Sequence, residues 1–301
     1  MSLAVTGGTG FVGRRLIQLA VERGHEVRAL ARRPQEPRDG VEWIEGSLEN
    51  REALEGLVTG SDAVIHVAGV INAPDAAGFE AGNVTGTLAM LAAATAAGTR
   101  RFVHVSSLAA REPKLSQYGA SKARSEDLVQ GSGLDWVIVR PPAVYGPGDK
   151  ETLELFKMAK AGLILLPPSG RLSLIHVDDL ARLLLLLAEN RHPKKEVLEP
   201  DDGRANGWTH REFASALGQA VGRRAVSLAT PRPLLRFGAA VDRFVRRDRA
   251  KLTPDRAAYF CHPDWVVSSS NAPARDVWRP EIATERGLAQ TAEWYRAEGW
   301  L

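Results

Sequence analysis

Gln117-Tyr118-Gly119-Ala120-Ser121-Lys122 sets a phenol and an amine four residues apart where a helix is expected to begin. On a helix, that spacing puts both side chains on one face. A nearby ammonium stabilises a tyrosinate and lowers the phenol pKa, which equips Tyr118 to give or take a proton near neutral pH. Taken alone, the pair describes many ordinary helix surfaces. Here it follows Val103-His104-Val105-Ser106-Ser107, an apolar run that ends in two hydroxyls.

A second constellation lies near the N-terminus. Gly7-Gly8-Thr9-Gly10-Phe11-Val12-Gly13 joins a short apolar strand to a helix. Gly7 permits a tight turn, Gly10 lets backbone approach a pyrophosphate, and Gly13 allows strand and helix to pack closely. Phosphates would rest on the N–H groups and positive dipole at the helix N-terminus. The next strand, Glu26–Ala31, runs into Arg32-Arg33-Pro34, with no acid at its end to bond a ribose 2′-OH. Arg32, with Arg33 beside it, could instead pair with a 2′-phosphate, so NADP(H) is favoured and NAD(H) is possible.

These groups need a frame, and the hydrophobic pattern supplies one. Strands are expected at Leu3–Thr6, Glu26–Ala31, Val41–Glu45, Ala63–Val67, Arg101–Ser106 and Trp136–Arg140, with helical stretches between them. That alternation predicts an α/β, Rossmann-type doubly wound parallel sheet, with ligands beyond the carboxyl ends of its strands. After Arg140 prolines multiply and strands thin out. Residues 1–141 and 171–198 are expected to form the dinucleotide domain. Residues 142–170 and 199–301 would form a smaller, mostly helical substrate-binding cap.

With these motifs in order, the chain resembles an extended or atypical short-chain dehydrogenase/reductase of the NAD-dependent epimerase/dehydratase kind. The likeness rests on Thr6–Gly13, Val64–Ala68, Asn83–Thr87, Ser106-Ser107 and Tyr118–Lys122. It continues through Arg140–Gly148 and His176–Ala181. It covers about residues 3–190. The resemblance implies Tyr118 as general acid/base and Lys122 as the group that lowers its pKa and bonds the nicotinamide ribose. It implies Ser107 as the hydroxyl that orients the substrate oxygen, with Ser106 the alternative, and Asn83 as a helix residue that helps arrange the site. It places Gly7, Thr9, Gly10, Phe11, Val12, Gly13, Ser47, Leu48, Val67, Ala68, Gly69 and Val105 around the cofactor. Pro141, Pro142, Ala143 and Val144 would border the nicotinamide.

The departures bear on substrate. Members acting on nucleotide-diphosphate sugars usually carry an arginine just before the segment matching Leu174–Val177; Leu172 stands there, with Arg171 one place off. A strand side chain one place off points to the opposite face. The interval from Ser107 to Tyr118 is short, and Ser47 replaces the acid often found near the adenine. The expected function is interconversion of a secondary alcohol and a carbonyl on a small molecule. The alternatives are a nucleotide-sugar epimerase or dehydratase with retained NAD, and a non-catalytic dinucleotide-binding subunit.

Composition narrows the remaining classes. Hydrophobic content of 44% and charged content of 25% suit a folded enzyme, and the net charge of +3 gives no nucleic-acid footprint. Cys261 is the only cysteine, which excludes an internal disulfide and suits a cytoplasmic protein. The seven histidines lack ligand spacing, so no metal is expected. Leu183–Leu187 falls far short of the ~20 residues of a membrane span and reads as a buried helix. Leu234–Arg247 reads as a cap helix with a solvated basic face, rather than a pocket lid or a membrane-surface helix. The family resemblance implies a possible homodimer.

Overall fold

Short apolar runs without a polar face can be buried only between two layers, and the strands Ser2–Thr6, Ala63–His66, Arg101–Val105 and Asp135–Val139 obey that rule. In a computed structural model, residues 1–190, 193–231, 233–235, 237 and 253–301 are described. The chain divides into two compact units, Met1–Arg140 with Leu180–Leu198, and Pro141–Asp179 with Glu199–Leu301.

The first unit begins with β1 (Ser2–Thr6), α1 (Phe11–Glu22), β2 (Glu26–Ala31), β3 (Val41–Glu45) and α2 (Arg51–Val58). It continues with β4 (Ala63–His66), α3 (Ala76–Phe79), a π-helical turn over Glu80–Thr85 and α4 (Gly86–Ala96). Next come β5 (Arg101–Val105), a 3₁₀ turn over Leu108–Arg111, α5 (Gln117–Gly131) and β6 (Asp135–Val139). A late strand, Glu196–Leu198, pairs in parallel beside β6. From one edge, the seven-stranded parallel sheet runs from that late strand through β6, β5, β4, β1 and β2 to β3. This is the expected doubly wound α/β sheet. The chain winds outward from β1 one way, then returns to start again at β4. The carboxyl ends of β1 and β4 therefore diverge at the switch point, where such sheets receive ligands.

The second unit has its own core, in which Tyr145, Phe156, Leu174, Trp208, Leu217 and Tyr295 are buried together. Its helices include α6 (Leu153–Ala161) and the segments His210–Ala220, Pro254–Phe260 and Thr284–Ala297. Between them lie three small sheets. β7 (Ala143–Tyr145) pairs with the strand Leu174–His176, and β8 (Leu163–Leu166) pairs with the strand Val226–Ala229. Arg171–Leu172 lies between Trp208–Thr209 and Asp264–Trp265. These strands have two to four residues, too few for a period of two to stand out in the sequence.

The aliphatic run does form a helix, Val177–Glu189, in which Leu183, Leu184, Leu185 and Leu187 are fully buried. No helix among the described residues is long and apolar enough to cross a membrane. Of the expected basic helix over 234–247, only Leu234, Leu235 and Phe237 are described; the rest lies outside the described residues.

Candidate active site

The glycine turn is held by contacts that tolerate no side chain at two of its positions. Gly7 adopts a φ of +72°, and a Cβ there would sit 2.7 Å from Ala68 N. A Cβ on Gly13 would lie 2.1 Å from the Gly7 carbonyl oxygen, inside any van der Waals limit. The turn is closed by Gly10 N donating to Gly7 O at 3.0 Å and by Arg14 Nε donating to Thr9 O at 2.7 Å. A Cβ on Gly10 would meet only Gly7 O within 4 Å, so that backbone faces open space, as a phosphate cradle requires. Phe11 and Val12 open α1 half-buried beside it. The turn therefore fits a dinucleotide.

Gly7 rests against Val67 and Ala68, the residues that follow β4. The next residue, Gly69, leads to Lys122, because a Cβ there would be 3.8 Å from Lys122 Nζ and 3.1 Å from Asn83 Oδ1. The Lys122 side chain is buried, and its Nζ donates to Val105 O, at the end of β5, over 2.9 Å. Burial pulls its pKa down to about 8, partly countered by the Glu126 carboxylate. The ends of β1, β4 and β5 thus bring the glycine turn, Val67–Gly69, Val105 and Lys122 into one continuous neighbourhood.

Tyr118 lies in the first turn of α5, half-buried, with its ring 6.1 Å from that of Phe79. Ser116 caps this helix by accepting from Gly119 N at 2.9 Å. A Cβ on Gly119 would be 2.7 Å from Ala109 O, so glycine there lets the 3₁₀ turn after Ser107 press against the start of α5. The neighbouring serines divide their work. Ser106 Oγ donates to Glu126, which Arg140 grips through two hydrogen bonds of 2.9 and 2.6 Å. Ser107 Oγ accepts from Ala109 N at 3.2 Å and still has a hydroxyl proton to donate.

Asn83 acts as a clamp. Its Oδ1 accepts from Val70 N at 2.7 Å, and its Nδ2 donates to Val70 O and to Ser121 Oγ, each at 2.9 Å. Ser121 in turn donates to Tyr118 O at 2.8 Å. The π-helical turn widens the helix where Asn83 makes these bonds, an irregularity often found at functional sites.

Beneath this layer lie two imidazoles on paired strands, His66 of β4 and His104 of β5, stacked with centroids 5.4 Å apart. Thr87 Oγ1 donates to Asn83 O at 2.6 Å, so it must accept from His66 Nε2 at 3.1 Å. His66 Nδ1 then accepts from Thr6 Oγ1 at 2.7 Å, and Thr6 accepts from Ala68 N at 3.2 Å. This chain of bonds links the loop under the glycine turn to the Asn83 backbone. Burial, with Lys122 adding to it, holds His66 neutral, its pKa pulled down to about 3. His104 is pushed well below its ordinary value for the same reasons. Nothing in the one-dimensional pattern marks Thr6, His66, Thr87, Ser121 or Gly119 for these roles. Only Ser116, a serine just before a helix, carries a readable capping signal.

The other expected cofactor residues are spread around the frame. Arg32 and Arg33 are exposed just beyond β2. Ser47 is half-buried after β3, and Leu48 packs toward Gly86 and the core rather than outward. In the second unit, Pro141 and Pro142 are buried and lead into β7, where Ala143 pairs with Leu174 and Val144 with Ile175. Arg171 Nε donates to Asn206 O at 2.6 Å, while Leu172 packs against the second core. Among the described residues, no group of three His, Cys, Asp or Glu side chains could hold a metal ion.

The sequence model of the NAD dependent epimerase/dehydratase family matches residues 3–199. The chain belongs to this family. Within it, the chain is 40% identical over 308 residues to a ceramide reductase from Caulobacter vibrioides, covering 99% of this chain and 96% of the relative. It is 31% identical to a 2-alkyl-3-oxoalkanoate reductase from Stenotrophomonas maltophilia, over 96% and 97% of the two chains. The fold is that of WbmG from Bordetella bronchiseptica, solved with NAD and UDP, at a TM-score of 0.76 and 20% identity, covering 99% of this chain and 96% of that one. The family member described here is thus an oxidoreductase of the short-chain dehydrogenase/reductase type.

Proposed function

We propose that the protein reduces a ketone carried on a long-chain lipid to a secondary alcohol, drawing preferentially on NADPH. The observation that carries this reading is the buried Lys122, fastened to Val105 O and adjoining Gly69 beneath the glycine turn. A merely dinucleotide-binding subunit has no need of a desolvated amine next to a phenol.

When bound, the nicotinamide would supply the hydride. Tyr118 donates a proton to the substrate oxygen, and Ser107 donates a hydrogen bond to the same atom as negative charge develops there. Lys122, charged below about pH 8, lowers the cost of the phenolate left on Tyr118. Asn83 and Ser121 hold the backbone of Tyr118 in place. Arg32, exposed just beyond β2, would pair with the 2′-phosphate.

The lipid assignment draws on the relatives' names. One is a ceramide reductase, one acts on a 2-alkyl-3-oxoalkanoate, and a third, from Stigmatella aurantiaca, is a ketoreductase for a farnesyl-bearing quinoline oxide. Each name describes a substrate that carries a hydrocarbon chain. The sugar-nucleotide alternative is disfavoured because Arg171 already bonds a backbone carbonyl and Leu172 is apolar.

The test is a panel of ketones of increasing chain length, assayed with NADPH and with NADH. Turnover should rise with chain length and favour NADPH. Turnover only on a sugar nucleotide, or none on any ketone, would sink the proposal.

A further inference from the structure

A two-stranded sheet packed on one side normally turns a polar face to water, yet β8 and its partner Val226–Ala229 do the reverse. On β8, Ile164 and Leu166 point into the core of the second unit, while Leu163 and Leu165 are 42% and 49% exposed. In the parallel register Leu163 pairs with Val226 and Leu165 with Leu228. Val226 and Leu228 are 62% and 51% exposed. Paired strands lie about 4.8 Å apart and alternate residues about 6.6 Å apart, so the four side chains form one block. Leu234 and Phe237, which follow the second strand, are exposed as well. Among the described residues, six of the eleven exposed large hydrophobics come from these two stretches, so the apolar exposure is concentrated rather than scattered.

The sequence flanking the two strands is basic. Residues 155–177 contain Lys157, Lys160 and Arg171 and no acid; residues 213–241 contain Arg223, Arg224, Arg232 and Arg236 and no acid. Over the whole chain, by contrast, 39 basic residues meet 36 acidic ones. Lys157 shares a 3.7 Å ion pair with Glu154, so the cationic rim rests chiefly on Lys160, Arg223 and Arg224, all exposed. An apolar block with a basic rim is complementary to an anionic bilayer, where aliphatic side chains enter the acyl boundary and cations meet the headgroup phosphates. A second copy of this chain would instead set the basic rims against each other.

We infer that the outer face of β8 and Val226–Ala229 is a docking surface for an anionic phospholipid membrane. This goes beyond the reductase reading and does not rest on it, because vesicle binding is measured without turnover. The experiment is co-sedimentation of the whole protein with vesicles of phosphatidylcholine alone and of phosphatidylcholine with phosphatidylglycerol. Wild type should bind the anionic vesicles, bind the neutral ones at least about tenfold more weakly, and release as salt rises. The L165E/L228E double variant should lose binding about tenfold or more, and R223E/R224E should lose the preference for phosphatidylglycerol. All four positions are exposed, and an unchanged thermal melt identifies the variants as folded. Absence of wild-type binding, or equal binding by wild type and folded L165E/L228E, overturns the inference. So does a wild-type dimer in sedimentation velocity that the same double variant dissociates, which would assign the face to a second copy.

Discussion

Two parallel strand pairs in this molecule, β4–β5 and β8 with Val226–Ala229, each depart from the usual placement of polar and apolar side chains, in opposite directions. In β4–β5 two imidazoles are fully buried. In the other pair four aliphatic side chains stand in water. The first departure is compensated internally at three of the four ring nitrogens, with His104 Nδ1 the one left without a hydrogen-bond partner among the described residues. His66 is bonded on both ring nitrogens, and His104 Nε2 donates to Ser125 Oγ, whose own proton goes to Lys122 O. The second has no compensation among the described residues. A buried polar group with its bonds made serves the interior, whereas an exposed apolar block costs free energy until something covers it. The contrast separates a region that performs chemistry from one that meets a partner.

The largest effect expected on the chemical side is that of Tyr118→Phe, which should cut turnover by about a thousandfold while leaving cofactor affinity nearly unchanged. If the surface block is separate from chemistry, L165E/L228E should change turnover of a short, water-soluble ketone by no more than about twofold. Comparable losses in both variants would erase the distinction.

Next in size is Gly13→Ala. Its Cβ would meet the Gly7 carbonyl oxygen at 2.1 Å, and neither backbone can yield cheaply. Cofactor affinity should fall by about a hundredfold in a fluorescence titration. Arg32→Ala should weaken NADPH about tenfold and NADH little, and equal losses would remove the argument for a 2′-phosphate contact.

The buried imidazoles make a sharper test through pH. The folded-state pKa of His66 is about 3, below the ordinary 6.5. Between those values the unfolded chain binds a proton that the folded chain does not, so stability falls as pH drops from about 6.5 towards 3. The slope approaches about 1.4 kcal/mol per pH unit for each such imidazole. Denaturant melts of His66→Gln should show a shallower acid loss. An unchanged slope would mean that the imidazoles are not held neutral by burial. The smallest effect concerns Lys122, whose pKa of about 8 predicts that reduction slows as pH rises through that value. A flat rate from pH 7 to 9 would separate its charge from the chemistry.

Much of the first unit was legible because its signals are local. Largely apolar strand runs of four to six residues, glycines at fixed offsets and a Tyr-x-x-x-Lys spacing are all read within a dozen residues. The second unit was less legible, because its strands are two to four residues long and pair across long intervals. At Asn83 the likeness implied a site residue. Its amide proved to be bonded to Val70 and Ser121, a clamp formed from within the π-helical turn.

The amino-acid order by itself therefore determined the winding of the sheet and the glycine turn, and singled out Tyr118 and Lys122 as candidates, since each depends on short-range periodicity and backbone freedom. Tertiary structure decided which serine is committed to Glu126, how deeply Lys122 is desolvated, and that leucines far apart in sequence form one exposed face. Those outcomes depend on strand register and helix packing. Both are set by burial over the whole chain, and no local spacing encodes them.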